Sequence, residues 1–204
     1  SSDVCSSDLA KWGLLSYFGR VNYGYKGRYL FEANLRADAS SRFGVNQRWG
    51  YFPSFSGGWR ISEESFMQGA SDYLSNLKLR VSWGKTGNNS TGNYDWQANY
   101  ATGNVVIDGE GTKGVVRKKL SNDKLHWEST ATTDIGLDFG FFNHRLTGEI
   151  DYYNKYTSDI LYHPELYLSM GVVGSAPENL GEVRNRGVEF TLNWNDRIGK
   201  DFEI

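Results

Sequence analysis

The chain has 204 residues, 23% of them charged, and a formal net charge of −2, a balance with no electrostatic footprint for nucleic acid or another polyanion. Mean hydropathy is −0.56, and no apolar run approaches the roughly 18 residues of a spanning helix; a helical membrane protein is excluded, but not a barrel, whose strands show lipid only alternate residues. Aromatics at 15%, with 24 Gly and only 3 Pro, suit a membrane barrel and a soluble β-sandwich equally.

Ser1 to Leu9, SSDVCSSDL, has neither periodicity nor the charged-then-apolar layout of a signal peptide. The codon run AGT-TCA-GAC-GTG-TGC-TCT-TCC-GAT-CTN encodes it and reads as a sequencing-library adapter in frame. We therefore expect residues 1–9 to be a non-native tail, with residues 10–204 forming the domain; long-read resequencing that returns an uninterrupted native codon run would contradict this. Cys5 lies in that tail, and one cysteine permits no internal disulfide.

Period-two alternation, the mark of a strand with one apolar face, begins at Leu14. Leu15, Tyr17, Val21, Tyr23 and Tyr25 oppose Ser16, Arg20, Asn22 and Gly24, and Lys26-Gly27 supplies a tight turn. Tyr29, Phe31, Ala33, Leu35 and Ala37 then oppose Arg28, Glu32, Asn34, Arg36 and Asp38. After a polar loop, Tyr51, Phe55, Trp59 and Ile61 oppose Ser54, Ser56 and Arg60. Ser62 is placed to cap one short helix near 63–74, with Glu63 and Glu64 in its first turn. Leu77, Leu79, Val81 and Trp83 form the next apolar stripe, followed by a Gly/Asn/Ser/Thr loop. Tyr94, Trp96, Ala98 and Tyr100 alternate with Asp95, Gln97 and Asn99, and Val105–Ile107 and Val115–Val116 read as strand pieces. A long strand over 127–142, the turn Asn143-His144, a strand over 145–156, a long loop from Leu161 to Glu182, and a strand carrying Val188, Phe190, Leu192 and Trp194 complete the chain. Asn195–Gly199 turns it, and a new strand begins before Ile204.

Two patterns favour the barrel. Short connections (Lys26-Gly27, Asn143-His144, Asn195–Gly199) alternate with long ones (39–50, 86–126, 161–182), as in barrels with short inner turns and long outer loops; the connection over 63–76 is the exception. Aromatics of the apolar stripe crowd the short-turn end: Tyr25, Tyr29, Trp59, Phe139, Phe141 and Trp194. Aliphatic or small residues, Val21, Ala33, Leu35, Ile135 and Ile150, occupy mid-strand. An interfacial girdle around an apolar band has this layout, whereas a sandwich would carry bulky aromatics mid-strand in its core.

Motifs that suggest chemistry have plainer readings. Trp83-Gly84-Lys85-Thr86 resembles the end of a phosphate loop, but Leu79 stands where its first glycine belongs. His126, His144 and His163 lie in separate connections without ligand spacing, and Asp108 with Glu110 lacks the further carboxylates of a calcium loop. Asp134, Asp138, Glu149 and Asp151 face the polar side, where a barrel lumen wants charge. No nucleophile set can be assembled, so neither an enzyme nor a cofactor or metal is expected.

Several stretches, taken together, are similar to one family. They are Ser16–Tyr23 (SYFGRVNY), Arg48–Ser54 (RWGYFPS), Gly58–Glu64 (GWRISEE), Leu74–Arg80 (LSNLKLR), Asp134–Phe139 (DIGLDF), Gly148–Lys155 (GEIDYYNK) and Asn185–Glu189 (NRGVE). These resemble the barrel of SusC/RagA-type TonB-linked outer-membrane transporters. The resemblance implies a barrel of about 22 strands with a plugged lumen, in the outer membrane of a Gram-negative bacterium. It also implies a SusD-like surface lipoprotein as lid, energy from TonB, and import of glycans or peptides. Plug, TonB-contacting segment and remaining strands have no counterpart in this sequence, so an all-β fragment of barrel wall, an open curved antiparallel sheet, is expected. The alternative is a soluble β-sandwich binding carbohydrate through Trp and Tyr; a glycosidase is the weakest reading, because no acid–base pair stands out.

Direction counting fixes what lies outside. The 28–38 strand leaves the short-turn side, 51–62 returns, 77–85 leaves again, and 127–142 comes back. Everything over 86–126 therefore begins and ends outside, and its strand pieces must be even in number, most simply a projecting hairpin. On it Tyr94, Trp96 and Tyr100, with Asp95 and Gln97 beside them, are expected to contact ligand or the lid protein, or else to pack on neighbouring loops.

Overall fold

The computed structural model describes residues 11–70, 72–107, 109–165, 175–195, 197–198 and 202–203. Among the described residues thirteen strands form: β1 (Leu14–Tyr25), β2 (Tyr29–Ser40), β3 (Trp49–Arg60), β4 (Leu74–Asn88), β5 (Asn99–Ile107), β6 (Glu110–Lys119), β7 (Glu128–Phe141), β8 (Leu146–Ser158), β9 (Leu161–Tyr162), β10 (Glu178–Asn179), β11 (Val183–Trp194), β12 (Arg197–Ile198) and β13 (Phe202–Glu203). Seven of them make one antiparallel sheet in the order β1-β2-β3-β4-β7-β8-β11, while β5-β6, β9-β10 and β12-β13 pair separately. The tail over 1–9, Asp108 and Ile204 lie outside the described residues.

Register carries the alternation across the sheet. Paired residues share a face, so Tyr23↔Phe31, Phe31↔Gly57, Gly57↔Val81, Val81↔Ile135, Ile135↔Tyr152 and Tyr152↔Val188 form one continuous apolar row. The row beside it, Asn22–Glu32–Ser56–Ser82–Asp134–Tyr153–Gly187, is mostly polar and faces the other way. Among the described residues no second sheet covers the apolar side: Val21, Phe31, Leu35, Phe55, Val81, Ile135 and Phe190 are all exposed. That is what a wall looks like and what a sandwich does not, so the sandwich reading is set aside. Burying these rows in lipid offers about 25 cal/mol per Å² of apolar surface, which a single sheet in water forfeits.

Short turns join strands at one end. Lys26 and Gly27 both take positive φ, 51° and 66°, and the Arg28 amide donates to the Tyr25 carbonyl at 3.0 Å. Between β7 and β8 the residues Phe142, Asn143 and His144 all take φ of 55–64°. Three successive non-glycine residues in that region are costly. Neighbouring segments hold them: the Phe142 amide donates to the Tyr73 carbonyl at 2.9 Å and the His144 amide to Ser75 Oγ at 3.1 Å.

The connection over 61–73 corrects one expectation. Instead of a helix near 63–74 capped by Ser62, two 3-10 segments form, Ile61–Glu63 and Ser65–Ala70; the first has Arg60 at its N-cap position and no side-chain cap. Glu64 between them is extended, with φ −77° and ψ 147°. The reason is its carboxylate, which Arg28, Tyr29 and Trp59 hold against the sheet. Leu74 already belongs to β4.

At the long-connection end the β3–β4 ladder stops at Ser54↔Gly84. Beyond it a small core fills the opening: Phe43, Phe52, Leu125 and Trp127, with Trp96 and Leu161 against them. Trp127 packs at 5.4 Å from both Phe43 and Phe52, and its indole N–H donates to the Arg48 carbonyl at 2.8 Å. Gly87 has no room for a side chain, because a Cβ there would collide with the Phe52 ring.

Candidate functional site

The hairpin outside the wall is present, as direction counting requires, but its strands are β5 and β6, turning at Gly109 with φ 83°. The segment over 93–97 is not a strand. Tyr94 adopts φ 62°, and the Asp95 carboxylate accepts from the Gly92 amide at 2.6 Å, from Thr91 Oγ1 at 3.0 Å and from Lys119. Asp side chains capture nearby backbone amides and so compete with strand ladders, which is why the alternation of Tyr94, Trp96 and Tyr100 misreads as a strand. Burial opposes ionisation of Asp95, yet Lys119, Thr91 and the Gly92 amide outweigh it and hold the carboxyl below its ordinary range.

The turn brings Tyr94, Asp95, Trp96 and Gln97 together and leaves Tyr100 on β5. Trp96 lays its ring against the Phe43–Leu125 core, and its indole N–H is buried without an acceptor among the described residues. Tyr94 is exposed and donates to the Lys11 carbonyl at 3.1 Å. A cleft of about 280 Å³ runs between these residues and the start of the chain, lined by Trp12, Ser41, Arg48, Tyr94, Trp96 and Gln97. Arg42 stacks on Trp12 at 4.5 Å and donates to Asn93 and to the Asn89 carbonyl, which ties this rim to the β4 exit. Tyr100 is exposed beside Arg117, 5.8 Å from its ring.

The polar face carries a charge network centred on Arg80. Arg80 donates from Nε to Asp138 at 2.8 Å and from Nη2 to Asp151 at 3.0 Å, with Glu149 at 3.7 Å. One guanidinium thus gathers carboxylates that a glycosidase would hold across a cleft. Nearer the long-connection end, Arg20 donates to Asn34 and Arg36 to Asp38. There the face hollows into a concavity of about 1060 Å³ bordered by Phe18, Arg20, Arg36, Asp38, Phe52 and Trp127.

On the apolar face the short-turn end carries the expected aromatics. Tyr25 and Tyr29 lie 6.3 Å apart, Tyr29 stacks on Trp59 at 6.3 Å, and Phe139 meets Phe141 at 5.9 Å. Trp194 pairs with Leu146, itself opposite Phe141. Two features escape a sequence reading. Glu64 anchors this group, accepting from Tyr29 at 2.6 Å, Trp59 at 3.1 Å and Arg28 at 3.1 Å; these donors hold its carboxyl below the ordinary range. Their convergence is long-range, and no local spacing signals it. The second is an aromatic group at the opposite end, where Tyr17 stacks on Trp49 at 6.2 Å and shares a row with Tyr51. The Trp49–Trp59 path, at roughly 3.3 Å per residue and about 40° tilt, spans about 25 Å, the height of a barrel's apolar band.

Comparison with known proteins agrees with this geometry. Residues 4–202 match the family model described as TonB dependent receptor-like, beta-barrel. The chain is 40% identical over 193 residues to the TonB-dependent receptor SusC of Bacteroides thetaiotaomicron, covering 93% of this chain and 19% of that protein. It is 37% identical over 197 residues to the TonB-dependent receptor P3 of Formosa agariphila, covering 97% and 20%. Among solved structures, the RagAB peptide importer in its closed-closed state superposes with a TM-score of 0.80 at 35% identity, covering 94% of this chain and 21% of that one. The chain therefore spans about a fifth of the length of these relatives. It belongs to the TonB-dependent receptor β-barrel family, in its SusC/RagA branch, whose members are outer-membrane proteins of Gram-negative bacteria.

Proposed function

We propose that this chain is part of the wall of an energised importer that takes up glycans or peptides with a SusD-like surface lipoprotein and TonB. The observation that carries the reading is the wall itself. One face is apolar between two aromatic groups, the other is charged with three carboxylates gathered on Arg80, and the long connections gather at one end. A lumen whose central carboxylates are gathered on one arginine suits passage better than acid–base chemistry. The likeness to an importer of peptides supports the substrate class. The domain spans 10–204. Tyr25, Tyr29, Trp59, Phe139, Phe141 and Trp194 mark the inner membrane interface; Tyr17, Trp49 and Tyr51 mark the outer one.

Ligand or lid contact belongs to the outer cleft. Tyr94, Trp96 and Gln97 line it, Tyr100 stands on the hairpin above it, and Asp95 fixes the turn that presents them. Aromatic faces beside Arg48 suit a sugar ring or a peptide. In the full-length receptor, Tyr94→Ala with Gln97→Ala should lower substrate uptake or lipoprotein co-purification roughly five- to tenfold, with surface amounts unchanged. Trp96→Ala should do the same and also loosen the core it packs on. Unaltered uptake and co-purification in the double variant would remove the cleft from the path; recovery of the receptor from the soluble fraction alone would remove the transporter reading.

A further inference from the structure

Charge on the apolar face is confined to one corner. By strand register that face carries three ionisable basic residues, Lys85, Arg184 and Arg186, and no carboxylate. All three stand near the long-connection end of their strands. Lys85, Ala131, Tyr156 and Arg184 fall in one row, and Arg186 occupies the next row towards mid-wall with Asn154 and Thr133. Arg184 and Arg186 are exposed, and neither forms an ion pair with a described residue. The Arg184 guanidinium lies over the Tyr156 ring at 5.0 Å. Two carboxylates are near, and both belong to the connections: Glu182 bonds the Tyr156 hydroxyl, and Asp159 faces His126 at 3.6 Å.

Height decides what such a cluster meets. An arginine facing lipid costs about 2–4 kcal/mol at the midplane and about 0–1 at the interface. From Trp194 at the short-turn end to Arg184, the β11 path at roughly 3.3 Å per residue and about 40° tilt rises about 25 Å. The intervening apolar residues Leu192, Phe190 and Val188 fill that band. Arg184 therefore emerges where acyl chains give way to headgroups, level with the Trp49 group across the wall. A planar guanidinium fork fits phosphate oxygens bidentately, and an aromatic ring beneath it keeps it oriented.

We propose that Arg184 and Arg186, flanked by Lys85, bind the phosphate of an anionic outer-leaflet lipid, that is, the phosphorylated headgroup of a lipopolysaccharide-type lipid. The site faces the bilayer, so its occupant comes from the membrane, not from the lumen or the medium. It rests on the membrane placement of the wall and is independent of which nutrient is imported.

The test uses the full-length receptor, purified and exchanged into lipid-free detergent, with phosphorylated lipid A added and bound lipid counted by native mass spectrometry. Wild type should retain phosphorylated lipid A about tenfold better than its dephosphorylated form. Arg184→Gln with Arg186→Gln should abolish that preference, while Arg20→Gln on the polar face should leave it intact. Equal retention of the two lipids by wild type would overturn the proposal without reference to any variant. So would a preference that survives in an assembled double variant. Displacement of the lipid by millimolar inorganic phosphate would show a free-anion site instead and would equally overturn it.

Discussion

Glu64 shows how one residue ties a connection to the wall. Its carboxylate takes hydrogen bonds from Arg28 on the β1–β2 turn, Tyr29 on β2 and Trp59 on β3, so it closes the 61–73 connection over the aromatic group at the short-turn end. Glu64→Ala strands three donors at once, and the full-length receptor should then unfold at a lower temperature in a detergent melt, whereas Glu63→Ala should not move it. The sign of the pH dependence follows from the lowered pKa. Stabilisation is complete above the ordinary glutamate value of about 4.3 and is lost as pH falls through the folded value. The melting gap between wild type and Glu64→Gln should therefore close on acidification below that point; a constant gap down to strongly acid pH would contradict the assignment. At this scale the sequence is least legible. Alternation marks Trp59 and Tyr29 as neighbours of a turn, but only the sheet register brings them onto one carboxylate. Trp96 is similar: its place in a stripe is visible, while its burial depends on Phe43 and Leu125, both far along the chain.

Elements are legible where period two runs long. β1, β2, β3, β4, β7, β8 and β11 were all visible as alternating stripes, because a sheet with opposed faces imposes that pattern on every residue. Where a side chain takes partners outside the ladder the pattern misleads: Asp95 captures the Gly92 amide at 93–97, and Glu64 is drawn to the side chains of Arg28, Tyr29 and Trp59 at 61–70. Val81 lies mid-wall on the apolar face between Gly57 and Ile135, and Ser82 on the polar face between Ser56 and Asp134. Val81→Arg should cost about 2–4 kcal/mol in the refolding equilibrium of the receptor in lipid, and Ser82→Arg about 0.5 kcal/mol or less; similar costs at both would refute the face assignment. In the β7–β8 turn, Asn143 holds φ 55°. Asn143→Gly relieves that conformation and should stabilise by about 0.5 kcal/mol, the steric relief being partly offset by the greater freedom of the unfolded chain. A destabilised variant would mean the side chain matters more than the backbone.

For the molecule as a whole, the unusual quantity is how little is buried. Among the described residues the buried apolar ones are few and sit at one end, the apolar rows of the sheet stand uncovered, and both sheet edges, β1 and β11, are open. A sheet of this kind becomes stable when its edges pair and lipid covers its apolar face. Composition alone left sandwich and barrel level; the single layer, the charge-bearing inner face and the grouping of long connections separate them. The most direct measurement is an accessibility scan with single nitroxide labels along β2 in the full-length receptor, reconstituted in a bilayer. Labels at Phe31, Ala33 and Leu35 should collide with dissolved oxygen and be shielded from a water-soluble nickel chelate, and labels at Glu32, Asn34 and Arg36 should show the reverse. Loss of that two-residue period, with both sets open to water or both shielded from lipid, would contradict the account.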